Sequence, residues 1–288
     1  MFAVMPLERS IPSEGDVSGA AFDARIGDIA CNVLMPRLPE KGWKVRPPTD
    51  HEDWSHAGRL WWGGGSYGVH GTGISIKALG LDFRSIGAQV PDADRSKDKV
   101  RSAGYPWLER LLDWLAVLHG EPAVSISIEA PLMFLEFDPD IGPVGWHEPA
   151  HRIASATWLS AIEKASKNLE APFSLVLLHK AAQNYFEGDY RVAVINAATA
   201  LELAVTAALE RVLEKSSEPV LGQVRMLGPR LDLANKLGVP VPTAAQSRLL
   251  RLRNLVIHHA AVPDALEVRQ ALQDFVDVVK RLPESDLQ

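Results

Sequence analysis

Three short patterns in this 288-residue chain carry residue types that do chemistry elsewhere. Gly64-Gly65-Ser66-Tyr67-Gly68 fits G-x-S-x-G, in which a serine is held on a strained strand-to-helix turn so that its hydroxyl stands exposed as a nucleophile. His147-Glu148-Pro149-Ala150-His151 fits H-E-x-x-H, in which two histidines one helical turn apart bind zinc beside a glutamate that acts on the metal-bound water. The third pattern is Arg253-Asn254-x-x-x-His258. Arginine offers a planar fork of donors to a phosphate, and histidine titrates near neutrality, so it can take and return protons. Such a pair can bind a phosphate, stabilise charge that develops on it and move a proton beside it without a metal.

The elements around each pattern decide what it can do. After Gly64–Gly68 come Gly71, Gly73 and the β-type alternation Ile74–Ile76, which predict a hairpin or Gly-rich loop with no helix to complete an elbow. In the second pattern Pro149 sits between the two histidines and would remove a helical hydrogen bond, and Gly142, Pro143 and Gly145 upstream predict a loop. His147 and His151 therefore read as surface-turn residues. A zinc hydrolase is the reading they would support, because His–Glu–His is a usable ligand set in several geometries. The expectation is no metal and no cofactor.

The third pattern falls on a helix. Pro172 predicts the start of a helix running to about Glu187, and Gly188-Asp189 a stop followed by an N-cap. A long helix is predicted from Tyr190 to about Leu213, with Val194, Ala198, Leu201, Val205 and Leu209 at spacings of three and four. A third is predicted over Leu221–Leu237, a fourth from Thr243 to about His258, and a fifth from Pro263-Asp264 to about Leu282. Five helices joined by short turns read as a helical bundle. On an ideal helix Asn254 and His258 share a face, but Arg253 and His258 are roughly 140° apart. They converge only if the helix loosens near His258 or a second copy completes the site.

With that context Arg253-Asn254-x-x-x-His258 resembles the R-polar-x3-H motif of the HEPN superfamily, and LLHKAAQNYFEGDYRVAVINAATALELAV resembles the first two helices of such domains, with Glu202 in the second. The resemblance spans about residues 172–282. It implies an all-helical domain, a metal-independent endoribonuclease leaving a 2′,3′-cyclic phosphate, and a composite site at a two-fold homodimer interface. It also implies a toxin or antiviral defence setting, with the N-terminal domain as a sensor or regulator whose ligand or trigger the sequence does not name. Arg253, Asn254 and His258 are then the catalytic candidates, and Glu202, Arg248, Arg251 and His259 secondary ones. The alternative is a catalytically inactive binding or scaffold domain of the same fold. In it Arg253 and Asn254 would join Glu202 or Asp232 in a buried polar network, and His258 would be a C-terminal residue favoured by the helix dipole. His259 reads as an exposed neighbour, and Arg248 and Arg251 as solvated face.

Composition changes near residue 170. All eight tryptophans lie between Trp43 and Trp158, and 17 of the 21 glycines precede residue 171. From 171 onward Lys+Arg and Asp+Glu balance at 13 each, so the whole net charge of −6 falls within 1–170. A non-specific nucleic-acid coat would read basic instead. The expected architecture is an α+β two-domain protein, with an α+β or β-rich domain over 1–170 and the HEPN-like bundle over 171–288. In the first domain Val69, Ile74 and Ile76, then Val124, Ile126 and Ile128, then Leu132–Phe137, read as strands, and Gly27–Leu34 as a strand or short helix. Pro106 suits a first helical turn before the apolar face Trp107–Leu118, which Gly120 ends. Mean hydropathy is −0.02, and no apolar run is long enough to span a membrane uninterrupted. The single cysteine, Cys31, makes no intrachain disulfide, and Pro6 and Glu8 arrive too early for a secretory segment. The expected location is cytoplasmic.

Overall fold

The structure is a computed structural model that describes residues 2–38, 46–48, 63–68, 71–83, 93–119, 134–138, 142–146, 152–214, 227–239, 241, 243–259 and 261–281. The fold is mixed α+β. The chain divides into two compact units, one of Met1–His119 with Ile126–Glu170, the other of Ala171–Gln288 with Gly120–Ser125.

The first unit is built on a five-stranded antiparallel sheet of β1 (Phe2–Glu14), β2 (Ala21–Ile26), β3 (Ile29–Leu34), β4 (Gly63–Gly68) and β5 (Gly71–Asp82). The long β5 is the centre. β1 lies along one side of it, from Phe2↔Asp82 to Glu14↔Gly73. The other side is shared by β4, opposite Gly71–Ile76, and β3, opposite Gly80–Asp82. β2 alternates strictly, turning Phe22, Ala24 and Ile26 inward, as a half-buried strand must. Two helices, α1 (Ala93–Leu118) and α2 (Ser155–Ser166), pack on one another and on β2. Trp107 and Trp158 are fully buried there, each ring removing roughly 200 Å² from water. The Trp158 indole N–H donates to Ser13 Oγ (3.0 Å), a hydroxyl itself fully buried, so the polar edge of the ring is satisfied inside the core. A separate ribbon joins β6 (Phe134–Asp138) to β7 (Gly142–Trp146).

The expectations for this unit need correction at two places. The apolar face Trp107–Leu118 is helical, but α1 begins at Ala93, so Pro106 lies inside the helix and not in its first turn. The ring is exposed and forfeits only the bond back to Ser102. The turns before it are held by buried Val100 and by Gly104, where a Cβ would stand 3.2 Å from Met5 Cε. Gly142–Trp146 is a strand and not a loop. A two-stranded ribbon has only edge strands, where Pro143 is tolerated. β1 and α2 had no sequence expectation. Within β1 the register shifts between Pro6 and Ile11, which breaks the alternation that marks a strand. Gly64–Gly68 lies in β4, paired with β5 from Gly68↔Gly71 onward, so Ser66 stands in a hairpin strand and not on a strand-to-helix turn. Val69, Val124, Ile126, Ile128, His147 and His151 lie outside the described residues.

The second unit is helical: α3 (Phe173–Phe186), α4 (Tyr190–Glu214), α5 (Leu227–Lys236), α6 (Thr243–His259) and α7 (Ala265–Arg281). Its punctuation follows the sequence. Gly188 takes φ +80°, and the Asp189 N–H donates to Asn184 O (2.8 Å), closing α3 with a reversed turn that only glycine adopts without strain. Gly238 and Val239 close α5 in the same way. Asp189 and Asp264 then cap α4 and α7 by accepting from Val192 N (3.3 Å) and Leu266 N (2.9 Å), each cap being worth about 1 kcal/mol. The helix α4 packs against all four others. Tyr190–Leu213 is long and apolar enough to cross a membrane by length and composition, with mean hydropathy 1.8 in its most apolar window. Glu202 interrupts it, and its inner side, including Leu201, Val205 and Leu209, is the centre of the bundle core.

Candidate functional site

The site is built on α6, Thr243–His259, whose sequence contains three arginines, two histidines and no acidic residue. Leu249, Leu252 and Val256, at spacings of three and four, are buried and fix the rotation of the helix in the bundle. That rotation turns Ser247, Arg251, Asn254 and His258 outward along the opposite face and leaves Arg253 half-buried on one flank. The flank carrying Gln246 and Leu250 faces α5: Gln246 donates to Asp232 (2.8 Å), and Leu250 packs beside Gly228. The other flank faces α7, where Arg248 pairs with Asp274, and Arg251 with Glu267 at 2.7 Å.

The helix stays regular through His259 and ends where the Ala261 N–H reaches Leu255 O at 3.5 Å. It does not loosen near His258. Arg253 and His258 therefore keep the roughly 140° separation of an ideal helix and point to different sides of it. Asn254 lies on the His258 face, one turn earlier. No ion pair or side-chain hydrogen bond joins Arg253, Asn254, His258 or His259 to another described residue. The buried network of the alternative reading does not form among the described residues. Glu202 accepts from Arg230 (3.0 Å), which also donates to Thr206 Oγ1 (2.9 Å), so Glu202 ties α4 to α5. Asp232 receives Gln246 instead of Arg253.

The secondary candidates thus separate. Glu202, Arg248 and Arg251 are committed to ion pairs within the bundle, whereas His259 is exposed beside His258. Partial burial pushes the Asp274 carboxyl above the usual aspartate range, outweighing the pull of Arg248 beside it. One residue that the motif did not name reaches this end of the bundle. Arg191, in the first turn of α4, donates its Nε to Ala261 O (3.2 Å), just beyond His259. No linear spacing could have found it, since 70 residues separate the partners. Among the described residues no group of three or more His, Cys, Asp or Glu stands together to hold a metal.

Compared with protein-family models, with curated proteins and with solved structures, the chain shows no match.

Proposed function

We propose that residues 171–288 form a HEPN-like domain and that the chain is a metal-independent endoribonuclease. The observation that carries this reading is the contrast among the arginines of α6. Arg248 and Arg251 are neutralised by carboxylates of α7, while Arg253 has no such partner among the described residues and flanks exposed Asn254 and His258. An unpaired guanidinium and an exposed imidazole are the equipment that phosphate binding and proton transfer need.

In the reaction the His258 imidazole takes the proton from the RNA 2′-hydroxyl as that oxygen attacks the adjacent phosphorus. The bond from phosphorus to the 5′-oxygen breaks, and the departing oxygen receives a proton from an imidazolium. The products are a 2′,3′-cyclic phosphate and a 5′-hydroxyl. The Arg253 guanidinium stabilises the charge that builds on the phosphoryl oxygens. Asn254 supplies a neutral donor and acceptor from the His258 face. Because α6 stays regular, one copy holds Arg253 and His258 apart, and two copies pairing through the helical domain supply both groups to one phosphate. The setting that fits is a cytoplasmic toxin or antiviral defence effector, with residues 1–170 sensing its trigger.

The test is incubation of the full chain with total RNA in excess chelator, with Arg253→Ala alongside. The wild type should yield fragments ending in cyclic phosphate and the variant should not. Cleavage lost in chelator and restored by zinc or magnesium would overturn the mechanism and direct attention to His147 and His151.

A further inference from the structure

The last residues of the first unit are strapped onto α1. The helix α2 closes in a left-handed turn at Asn168, φ +55°, and the next residue, Leu169, returns its N–H to Lys164 O at 3.1 Å. Residues 168–170 then meet α1 through three polar contacts. Trp114 Nε1 donates to Leu169 O (2.8 Å), Arg110 Nη2 donates to Asn168 Oδ1 (2.9 Å), and Arg110 Nη1 faces the Glu170 carboxylate at 3.5 Å. Lys164 Nζ stands 4.6 Å over the Trp114 ring and steadies the same turn. Beside these contacts two donors are unspent. Trp107 Nε1 and Arg110 Nε, one helical turn apart on α1, are buried and meet no acceptor among the described residues. Trp107 is fully buried, so its indole N–H has left water with nothing in exchange, which native interiors seldom tolerate.

We propose that Trp107 and Arg110 bind a small carboxylate ligand, which takes Arg110 away from the strap. The indole and the guanidinium only donate, so the ligand must bring acceptors. A carboxylate matches the edge of a guanidinium formed by Nε–H and one terminal N–H, through two parallel bonds. Both terminal nitrogens of Arg110 already serve the strap, so a ligand that adds either one to Nε displaces Asn168 or Glu170. Glu170 is the one that gives way. Its side chain is 74% exposed, its contact is long, and a second carboxylate beside it repels it. Access is through Arg110, which keeps 16% of its side chain exposed, whereas Trp107 keeps none. One negative charge suits this site better than the two of a phosphate, because the indole end lies out of water. The inference concerns the first unit alone and stands whether or not the chain cuts RNA.

The test follows the isotope-labelled indole nitrogens of the full chain by NMR, with Trp107 and Trp114 assigned by triple-resonance spectra. The probe is acetate, with chloride and inorganic phosphate at the same ionic strength as the other arms. Acetate should shift the Trp107 signal along a saturating curve and shift Trp114 as its bond to Leu169 loosens. It should also speed tryptic cleavage after Lys167 about tenfold, since cleavage follows the population of the released strap. Chloride and phosphate should do neither. Arg110→Gln should abolish the acetate response and be cleaved at the faster rate without acetate. Glu170→Gln, a change at an exposed residue, should tighten acetate binding severalfold, because the competing carboxylate is gone. A Trp107 signal that does not respond, or responds equally to chloride, would overturn the proposal. An equal response to phosphate would overturn the choice of a carboxylate. A saturating response that leaves Trp114 and cleavage after Lys167 unchanged would overturn the exchange. If Arg110→Gln fails to fold by circular dichroism, Glu170→Gln decides: unchanged acetate affinity in that variant would overturn the exchange.

Discussion

The flank of α6 that faces α7 and the last turns of the same helix use the same residue types for different ends. On the flank, Arg248 and Arg251 each meet a carboxylate of the next helix, Asp274 and Glu267. In the last turns, Arg253, Asn254 and His258 have no described side-chain partner. Pairing commits a guanidinium to the fold, where its removal strands a carboxylate. An unpaired guanidinium contributes little to the fold and is available to a ligand. The contrast separates stability from activity residue by residue, so substitutions along one helix can break it or sharpen it.

The largest effect falls on the unpaired side. Arg253→Ala should lower the RNA cleavage rate by roughly 10²–10³-fold while shifting stability by no more than about 0.5 kcal/mol, read from initial rates and from urea denaturation of the same preparation. Arg253→Lys should recover only part of the rate, because an ammonium keeps the charge without the planar fork. A variant that unfolds would return Arg253 to the structural side of the comparison.

On the paired side the order reverses. Arg248→Met strands the half-buried Asp274 and should cost about 1–3 kcal/mol in urea denaturation with cleavage retained. Replacing both partners, Arg248→Met with Asp274→Leu, should restore most of that loss, since no carboxylate is left behind. The pH dependence gives a finer check. Partial burial raises the native Asp274 pKa above its unfolded value. Between those two values the native state binds more protons than the unfolded state, so the contribution of Asp274 to stability falls as pH rises through the window. The stability of the wild type minus that of Asp274→Asn should therefore be greater at acidic pH than at neutral pH. A difference that grows with pH would show that Arg248 dominates. The smallest effect belongs to the exposed Arg251–Glu267 pair, where Arg251→Ala should cost about 0.2–1 kcal/mol and less in high salt.

What the sequence made legible was local. Pro172, Gly188-Asp189 and Pro263-Asp264 mark helix ends because capping and left-handed closure are properties of a few adjacent residues, and α3, α4 and α7 begin or end there. Ile74 and Ile76 mark β5 by their alternation, and the helical placement of Arg253 and His258 could be read from periodicity. What was not legible depended on distant partners. β1 is bent by its register shift and reads as no strand until β5 is beside it. Pro106 reads as a helix start until the packing of Val100 and Gly104 is known. Within the site, nothing near Glu202 announces that Arg230 will take it, 28 residues on. Nor does the spacing of Arg248, Arg251 and Arg253 tell which of them α7 will neutralise. That is settled by the rotation of α6 against its neighbours, which sends two of the three toward acidic residues.

The claim that the unpaired turns of α6 cut RNA is tested most directly through His258. The measurement is the cleavage rate of the full-length His258→Ala variant in excess chelator, beside the wild type, after circular dichroism and melting show the variant folded. Because His259 is exposed next to it, the His258→Ala, His259→Ala double variant is carried as the control. The account predicts a loss of roughly 10²-fold or more from His258→Ala, with the same thermal midpoint as the wild type. A folded His258→Ala variant that cuts RNA at the undiminished wild-type rate would contradict it.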